Sequence, residues 1–191
     1  PEGDAARVIG IGGGSTGLIA GDGGKIQFAG SIPVGAVRGK ETYPQSKVGF
    51  DQLYKAFVKT EGESWEGNSP ERKIAKGHKI LQKIKKQRGV LYGVGGTITT
   101  LCAMSDGVSR IYDPRSVHGR TMTRSEVTLV LRELDGMTPE EVKRMPLLQG
   151  REDIIRYGGV ILMACLDALG AECLVVSDRG NLEGYLAYRA G

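Results

Sequence analysis

The chain has 191 residues, 40% of them apolar, with a formal net charge of +4, three cysteines and two histidines. That is enough apolar chain for one domain with its own core, and the modest basic excess favours polyanionic ligands without naming one. The composition argues against a membrane span, a leader segment, a disulfide framework and a zinc centre, so a soluble cytoplasmic chain with buried thiols at Cys102, Cys165 and Cys173 is expected.

Val8-Ile9-Gly10-Ile11-Gly12-Gly13-Gly14-Ser15-Thr16-Gly17-Leu18-Ile19 reads as strand, glycine turn, strand. Three consecutive glycines remove every Cβ that would keep an anion off the backbone. Successive N–H groups can then converge into a nest, with Ser15 and Thr16 adding hydroxyl donors. Gly12 to Gly17 also satisfies G-x-G-x-x-G, but a dinucleotide loop must open a helix, and Leu18 to Phe28 reads as two strands about a Gly-rich turn. A Walker loop fails because Gly14, not lysine, precedes Ser15. What remains is a phosphate-holding β-hairpin, or a tight hairpin whose glycines merely supply positive φ.

Strands over 7–11, 17–20 and 25–29 form an antiparallel meander, and the segment 31–37 is expected to pair beside it. Lys47 to Lys59 carries Phe50, Leu53, Tyr54, Phe57 and Val58 at helical spacing, and the polar segment 61–70 reads as a loop. From Glu71 to Arg88, Ile74, Gly77, Ile80, Leu81 and Ile84 share one face of a helix whose other side is strongly basic. That side is either a solvated lysine face or a docking track for a long polyphosphate or nucleic acid.

A strand over 89–94 runs into a second glycine loop, Gly93-Val94-Gly95-Gly96-Thr97, and then a helix over 98–104 whose positive end adds to the loop's amides. One loop ending in a hairpin and one in a helix N-terminus suggest two walls of a cleft that grips a chain of phosphates. The stretch 105–120 is irregular. Thr123-x-x-Glu126 is a capping box, and Thr138-Pro139-Glu140-Glu141 opens another helix beyond Gly136. Arg151 to Leu169 is a long helix burying Ile154, Ile155, Gly158, Ile161, Leu162 and Cys165; a short buried strand over 173–176 and a helix over 182–189 follow.

In order, Gly12-Gly13-Gly14-Ser15-Thr16, Pro33-Val34-Gly35-Ala36-Val37-Arg38, Gly93-Val94-Gly95-Gly96-Thr97, Val117-His118-Gly119, Arg151-Glu152-Asp153-Ile154-Ile155, and Val176-Ser177-Asp178 with Glu183-Gly184 resemble the second half of the Ppx/GppA phosphatases. These are the exopolyphosphatases and guanosine pentaphosphate phosphohydrolases of the actin, sugar kinase and Hsp70 ATPase superfamily. The resemblance covers nearly the whole chain. It implies an α/β, actin-like fold with an RNase H-like mixed sheet of five strands and helices on both faces. Residues 1–191 would form one domain matching the family's second, the first being absent from the chain. It further implies hydrolysis of a terminal phosphoanhydride as the family activity, magnesium as cofactor, and inorganic polyphosphate or a guanosine polyphosphate as ligand. An upstream domain of the same protein and a second copy in a homodimer are the expected protein partners; membrane and nucleic acid are not expected.

The same resemblance carries a departure. In the family an Asp just before Ile-Gly-Gly-Gly-Ser and a Glu just after Ser-Thr point toward metal and phosphate, whereas here Gly10 and Gly17 hold those positions. Glycine can neither bind a divalent cation nor polarise a water. Phosphate binding with impaired hydrolysis is the leading expectation, with no catalytic residue assigned. The alternatives are an active phosphatase or ATPase drawing carboxylates from elsewhere, such as Asp178, and a non-enzymatic polyanion-binding module. Near the C-terminus Asn181-Leu182-Glu183-Gly184 replaces the usual Leu-Arg-Glu-Gly, removing a basic residue.

The phosphate-binding candidates are therefore Gly12, Gly13, Gly14, Ser15, Thr16, Arg38, Gly95, Gly96, Thr97 and His118. Arg38 is placed after a β-turn, as a phosphate contact or an idle surface arginine. His118 lies in a polar loop that favours a phosphate-facing or orienting role over a core one. Arg151 and Asp153 are expected to pair with each other at a helix start. Asp178 is the best remaining carboxylate for a metal, against a turn-capping role.

Overall fold

The computed structural model describes residues 5–58, 70–107 and 111–179. Its sheet has six strands in the order β3-β2-β1-β4-β6-β5. They are β1 Ala6–Ile11, β2 Thr16–Asp22, β3 Lys25–Ile32, β4 Val90–Val94, β5 Thr121–Thr123 and β6 Cys173–Ser177. The expected meander is β1 to β3; β4 runs parallel to β1, β6 parallel to β4, and β5 antiparallel at the edge. Gly23 and Gly24, with φ of 56° and 74°, make the left-handed pair that a two-residue hairpin between β2 and β3 needs. The sheet has one strand more than the five that the resemblance implies; the unanticipated strand is β5, three residues long and too short for an alternating pattern to announce it, although Met122 at its centre is fully buried.

The helices are α1 Ala36–Thr42, α2 Lys47–Val58, α3 Pro70–Lys85, α4 Gly96–Ser105, α5 Pro114–Val117, α6 Arg124–Gly136, α7 Pro139–Lys143 and α8 Ile155–Leu169. No helix among the described residues is long and apolar enough to cross a membrane. The apolar stripes read from α2 and α3 face inward: Leu53, Phe57, Leu81 and Ile84 are at most 1% exposed and join Ile9, Leu18 and Ile32 of the sheet. Each such side chain contributes about 1.5–3 kcal/mol by leaving water. Gly77 lets α3 approach β3, since a Cβ there would sit 2.6 Å from Ile32.

The structure corrects several expectations. The segment 31–37 is not a fourth meander strand: β3 ends at Ile32, Pro33 has no amide for a ladder, and α1 begins at Ala36. Helix α8 starts at Ile155 rather than Arg151, which belongs to the turn before it. Cys102 and Cys165 are buried, and burial pushes the Cys165 thiol up to about 12, but Cys173 is exposed because alternation along β6 turns Leu174 and Val176 inward instead. The loop expected over 61–70, apart from Pro70, and the helix expected over 182–189 lie outside the described residues.

The expected capping box forms at Thr123 with Glu126, and a second forms at Thr138 with Glu141. Glu126 also receives Arg120 at 2.5 Å, and the same guanidinium donates to the Cys102 carbonyl at 2.8 Å, so the cap ties α6 to α4. Burial works to raise the Glu126 pKa, but the Thr123 amide and hydroxyl and the Arg120 charge outweigh it and hold the carboxyl below its usual range. A depressed folded pKa stabilises the fold above the unfolded value and loses that contribution as pH falls through the folded one. Glu126→Gln should therefore cost about 1–2 kcal/mol at neutral pH and progressively less below about pH 4, as read from urea midpoints. A pH-independent difference would contradict this assignment.

Candidate functional site

Strands β1 and β4 lie parallel and adjacent, so both deliver their C-terminal ends, and the loop that follows each, to one edge of the sheet. The first loop, Gly12 to Ser15, turns β1 back into β2 with the Gly12 amide donating to the Ser15 carbonyl at 3.0 Å. None of Gly12, Gly13 and Gly14 has a positive φ, so neither the strained-hairpin reading nor the left-right alternation of a nest describes them. A Cβ at Gly12 or Gly14 would meet nothing closer than 3.5 Å and 3.8 Å, and one at Gly13 would sit 3.1 Å from a Val37 methyl. At Gly12 and Gly14, then, neither backbone conformation nor internal packing demands glycine.

The carbonyls of this loop are fixed by α1. Ala36 donates to Gly12 O at 2.9 Å, and Val37 and Arg38 donate to Gly13 O at 2.9 and 3.0 Å. In a planar trans peptide the following N–H points opposite its carbonyl. The Gly13 and Gly14 amides are therefore turned away from α1, and no described residue accepts from them or from the Ser15 amide. Gly35, the residue before α1, permits this closeness, because a Cβ there would overlap Gly12 O and lie 2.7 Å from Gly13 O and Ser15 N.

The second loop meets the first. Gly95, at φ 95°, caps α4, and a Cβ on it would be 3.2 Å from Ile11 O. The Ile98 amide donates back to Gly95 O at 3.0 Å, which leaves the Gly96 and Thr97 amides without a partner inside the helix. Gly12, Gly13, Gly96 and Thr97 line one cleft of about 170 Å³, closed at its side by Arg151, Ile154 and Ile155. A larger hollow of about 620 Å³, between Phe50 and Tyr54 of α2, Leu131 of α6 and Met163 of α8, contains none of the predicted residues.

Arg151 is the cleft residue that the sequence reading misassigned. Its Nη1 donates to Gly96 O at 3.3 Å and Thr100 Oγ1 at 2.7 Å, and a Cβ on Gly96 would overlap the guanidinium. Asp153, its expected partner, pairs instead with Lys40 at 2.7 Å, and that hydrogen bond and charge hold its carboxyl below the usual range. Arg38 sits in the first turn of α1 rather than after a β-turn. It donates to Pro33 O at 3.1 Å, with Nη2 3.8 Å from where a Gly14 Cβ would project.

Three other candidates sit differently from the expectation. Thr16 is fully buried, and its hydroxyl donates inward to Val34 O at 2.8 Å, so that hydrogen faces the core and not the cleft. His118 is exposed at the end of α5, where its Nδ1 accepts from the Asp178 amide at 3.3 Å. The Asp178 carboxylate accepts a short hydrogen bond from the Tyr112 phenol. Burial first, and that bond second, push Tyr112 up to about 12, so the phenol stays a donor. Neither His118 nor Asp178 lines the cleft.

The donor set does not fit magnesium. That ion takes oxygen ligands, usually one or two carboxylates among them. No carboxylate lines the cleft, and Gly10 and Gly17 face each other as Cα partners across β1 and β2. No group of three or more His, Cys, Asp or Glu side chains placed to hold a metal ion occurs among the described residues.

The sequence matches the Ppx/GppA phosphatase family over residues 2–190. It is 28% identical over 182 residues to a bifunctional 3-dehydroquinate synthase/phosphatase of Fusobacterium nucleatum, spanning 95% of this chain and 26% of that protein. The crystal structure of an Aquifex aeolicus Ppx/GppA family member superposes with a TM-score of 0.78 at 29% identity, over 100% of this chain and 57% of that one. An exopolyphosphatase from Cytophaga hutchinsonii superposes with a TM-score of 0.75 over 98% of this chain and 57% of that one; at 17% identity it speaks for the fold alone.

Proposed function

We infer the function from one premise: the chain belongs to the Ppx/GppA phosphatase family. The cleft between its glycine loops binds the terminal phosphates of inorganic polyphosphate or a guanosine polyphosphate. The chain is the phosphate-holding, second-domain part of a phosphoanhydride hydrolase, with hydrolysis impaired by glycine at positions 10 and 17. The rest of the machinery belongs to an upstream domain of the same protein, in keeping with the greater length of its relatives.

One observation carries this reading. Gly12 and Gly14 have no conformational or packing need for glycine, the Gly13 and Gly14 amides have no acceptor among the described residues, and Gly12 and Gly13 share one cleft with the first turn of α4 and Arg151. Phosphate oxygens only accept, and the free amides and the Arg151 guanidinium at this cleft donate. Because α1 fixes one wall and the Arg151 bonds to Gly96 and Thr100 fix the other, the donors are oriented before the ligand arrives. These residues hold and orient a phosphate chain; none of them supplies a base for water.

Calorimetric titration with tripolyphosphate tests the site. Arg151→Gln should weaken binding about tenfold, since a guanidinium bond to phosphate is charge-assisted. Arg115→Gln, outside the cleft lining and paired with Asp113, should leave it unchanged. Equal affinities for Arg151→Gln and the parent would remove the cleft from consideration. Turnover by the natural protein in the usual enzymatic range, about 1–10³ per second, would overturn the impairment.

A further inference from the structure

The fixed charges at the cleft have one sign. Arg151 lines it, the Arg38 guanidinium lies beside Gly14, and the adjoining amides are donors as well. None of the acids around it enters the lining: Glu152, next to Arg151, accepts from the Gly150 amide, Asp153 pairs with Lys40, and Asp178 accepts from Tyr112. Room is not what keeps carboxylates out. A Cβ on Gly17 would meet nothing closer than Gly10 O at 3.9 Å, and one on Gly10 would press only on a Val94 methyl at 3.1 Å. What these positions lack is negative charge and oxygen ligands.

A polyphosphate complexed to magnesium carries less negative charge than the free anion, and it turns some of its oxygens toward the cation and away from other donors. Protein sites for such a complex usually add one or two carboxylates to the phosphate oxygens and waters around the ion. This cleft offers none, and its cations gain most from the uncomplexed anion.

We propose that the cleft takes its phosphoanhydride ligand as the metal-free polyanion, so that magnesium, by complexing the ligand in solution, weakens binding. This rests on the cleft being a phosphate site. The ligand class is the free end of a polyphosphate chain, and the divalent-cation level regulates its occupancy.

The test is calorimetric titration of the protein with tripolyphosphate at matched ionic strength, once with EDTA and once with excess magnesium chloride. About tenfold tighter binding in EDTA is expected. Equal or tighter binding with magnesium would overturn the proposal while leaving the phosphate site standing; no binding in either buffer would overturn both. Gly17→Glu, whose Cβ meets nothing closer than 3.9 Å, should shrink the EDTA preference, and the double change with Gly10→Asp should reverse it. Near-ultraviolet circular dichroism confirms that each variant is folded. If folded Gly17→Glu and double variants keep the full EDTA preference, the missing carboxylates are not its origin and the proposal fails.

Discussion

Gly35→Ala should abolish tripolyphosphate binding and cost about 3 kcal/mol of stability. The residue has φ −136° and ψ −170°, extended backbone that alanine adopts freely, so the whole effect is steric. Its Cβ would overlap Gly12 O and press on Gly13 O and Ser15 N at 2.7 Å, and all three are main-chain atoms with no rotamer to yield. The loop must retreat from α1, losing the bonds from Ala36, Val37 and Arg38 to its carbonyls. Because each peptide is planar, rotating those carbonyls reorients the Gly13 and Gly14 amides as well, and Gly13 lines the cleft. Gly14→Ala separates the two losses: with nothing nearer than 3.8 Å its Cβ should leave the denaturation midpoint in place while weakening ligand binding. A Gly35→Ala protein that binds and unfolds like the parent would show that α1 does not hold the loop.

How much of this was legible in the sequence depended on where each residue's partners lie. Helices α2 and α3, the meander, the capping box at Thr123 and the helix start at Thr138 were readable, because a period or a local side-chain bond writes them into neighbouring residues. Helix α1 was not. Its apolar run Val34 to Val37 suits a strand, and its start is fixed by carbonyls of Gly12 and Gly13, more than twenty residues earlier. Arg151 and Asp153 read as a local pair, yet each found a stronger partner across the fold, the second loop for one and Lys40 for the other. For Thr16 the signal was present and outweighed: Thr16, Leu18 and Ala20 alternate on the inward face of β2, so period two already assigned its hydroxyl to the core. The two glycine loops were legible as loops, but only the parallel register of β1 and β4 joins them into one cleft.

Gly158→Ala attacks the opposite wall and should lower stability by about 2 kcal/mol and tripolyphosphate affinity severalfold. Alanine inside a helix ordinarily gains about 1 kcal/mol over glycine, so propensity alone predicts the opposite sign. The contact decides. A Cβ on Gly158, in α8, would overlap the γ-methyl of Thr97, with Oγ1 at 2.9 Å and Cβ at 3.2 Å. Thr97 is β-branched, lies in the first turn of α4 and is 8% exposed, so it has few rotamers in which to escape. The strain is relieved by moving the first turn of α4, which carries the Gly96 and Thr97 amides. Thr97→Ala removes the methyl and hydroxyl and leaves only the 3.2 Å approach. The double variant should therefore recover most of the lost stability, with a coupling energy of about 1–2 kcal/mol in the mutant cycle. It should also recover binding, since in the proposed site Thr97 meets the ligand through its amide. An additive cycle would mean that α8 does not set the position of the second loop through this contact.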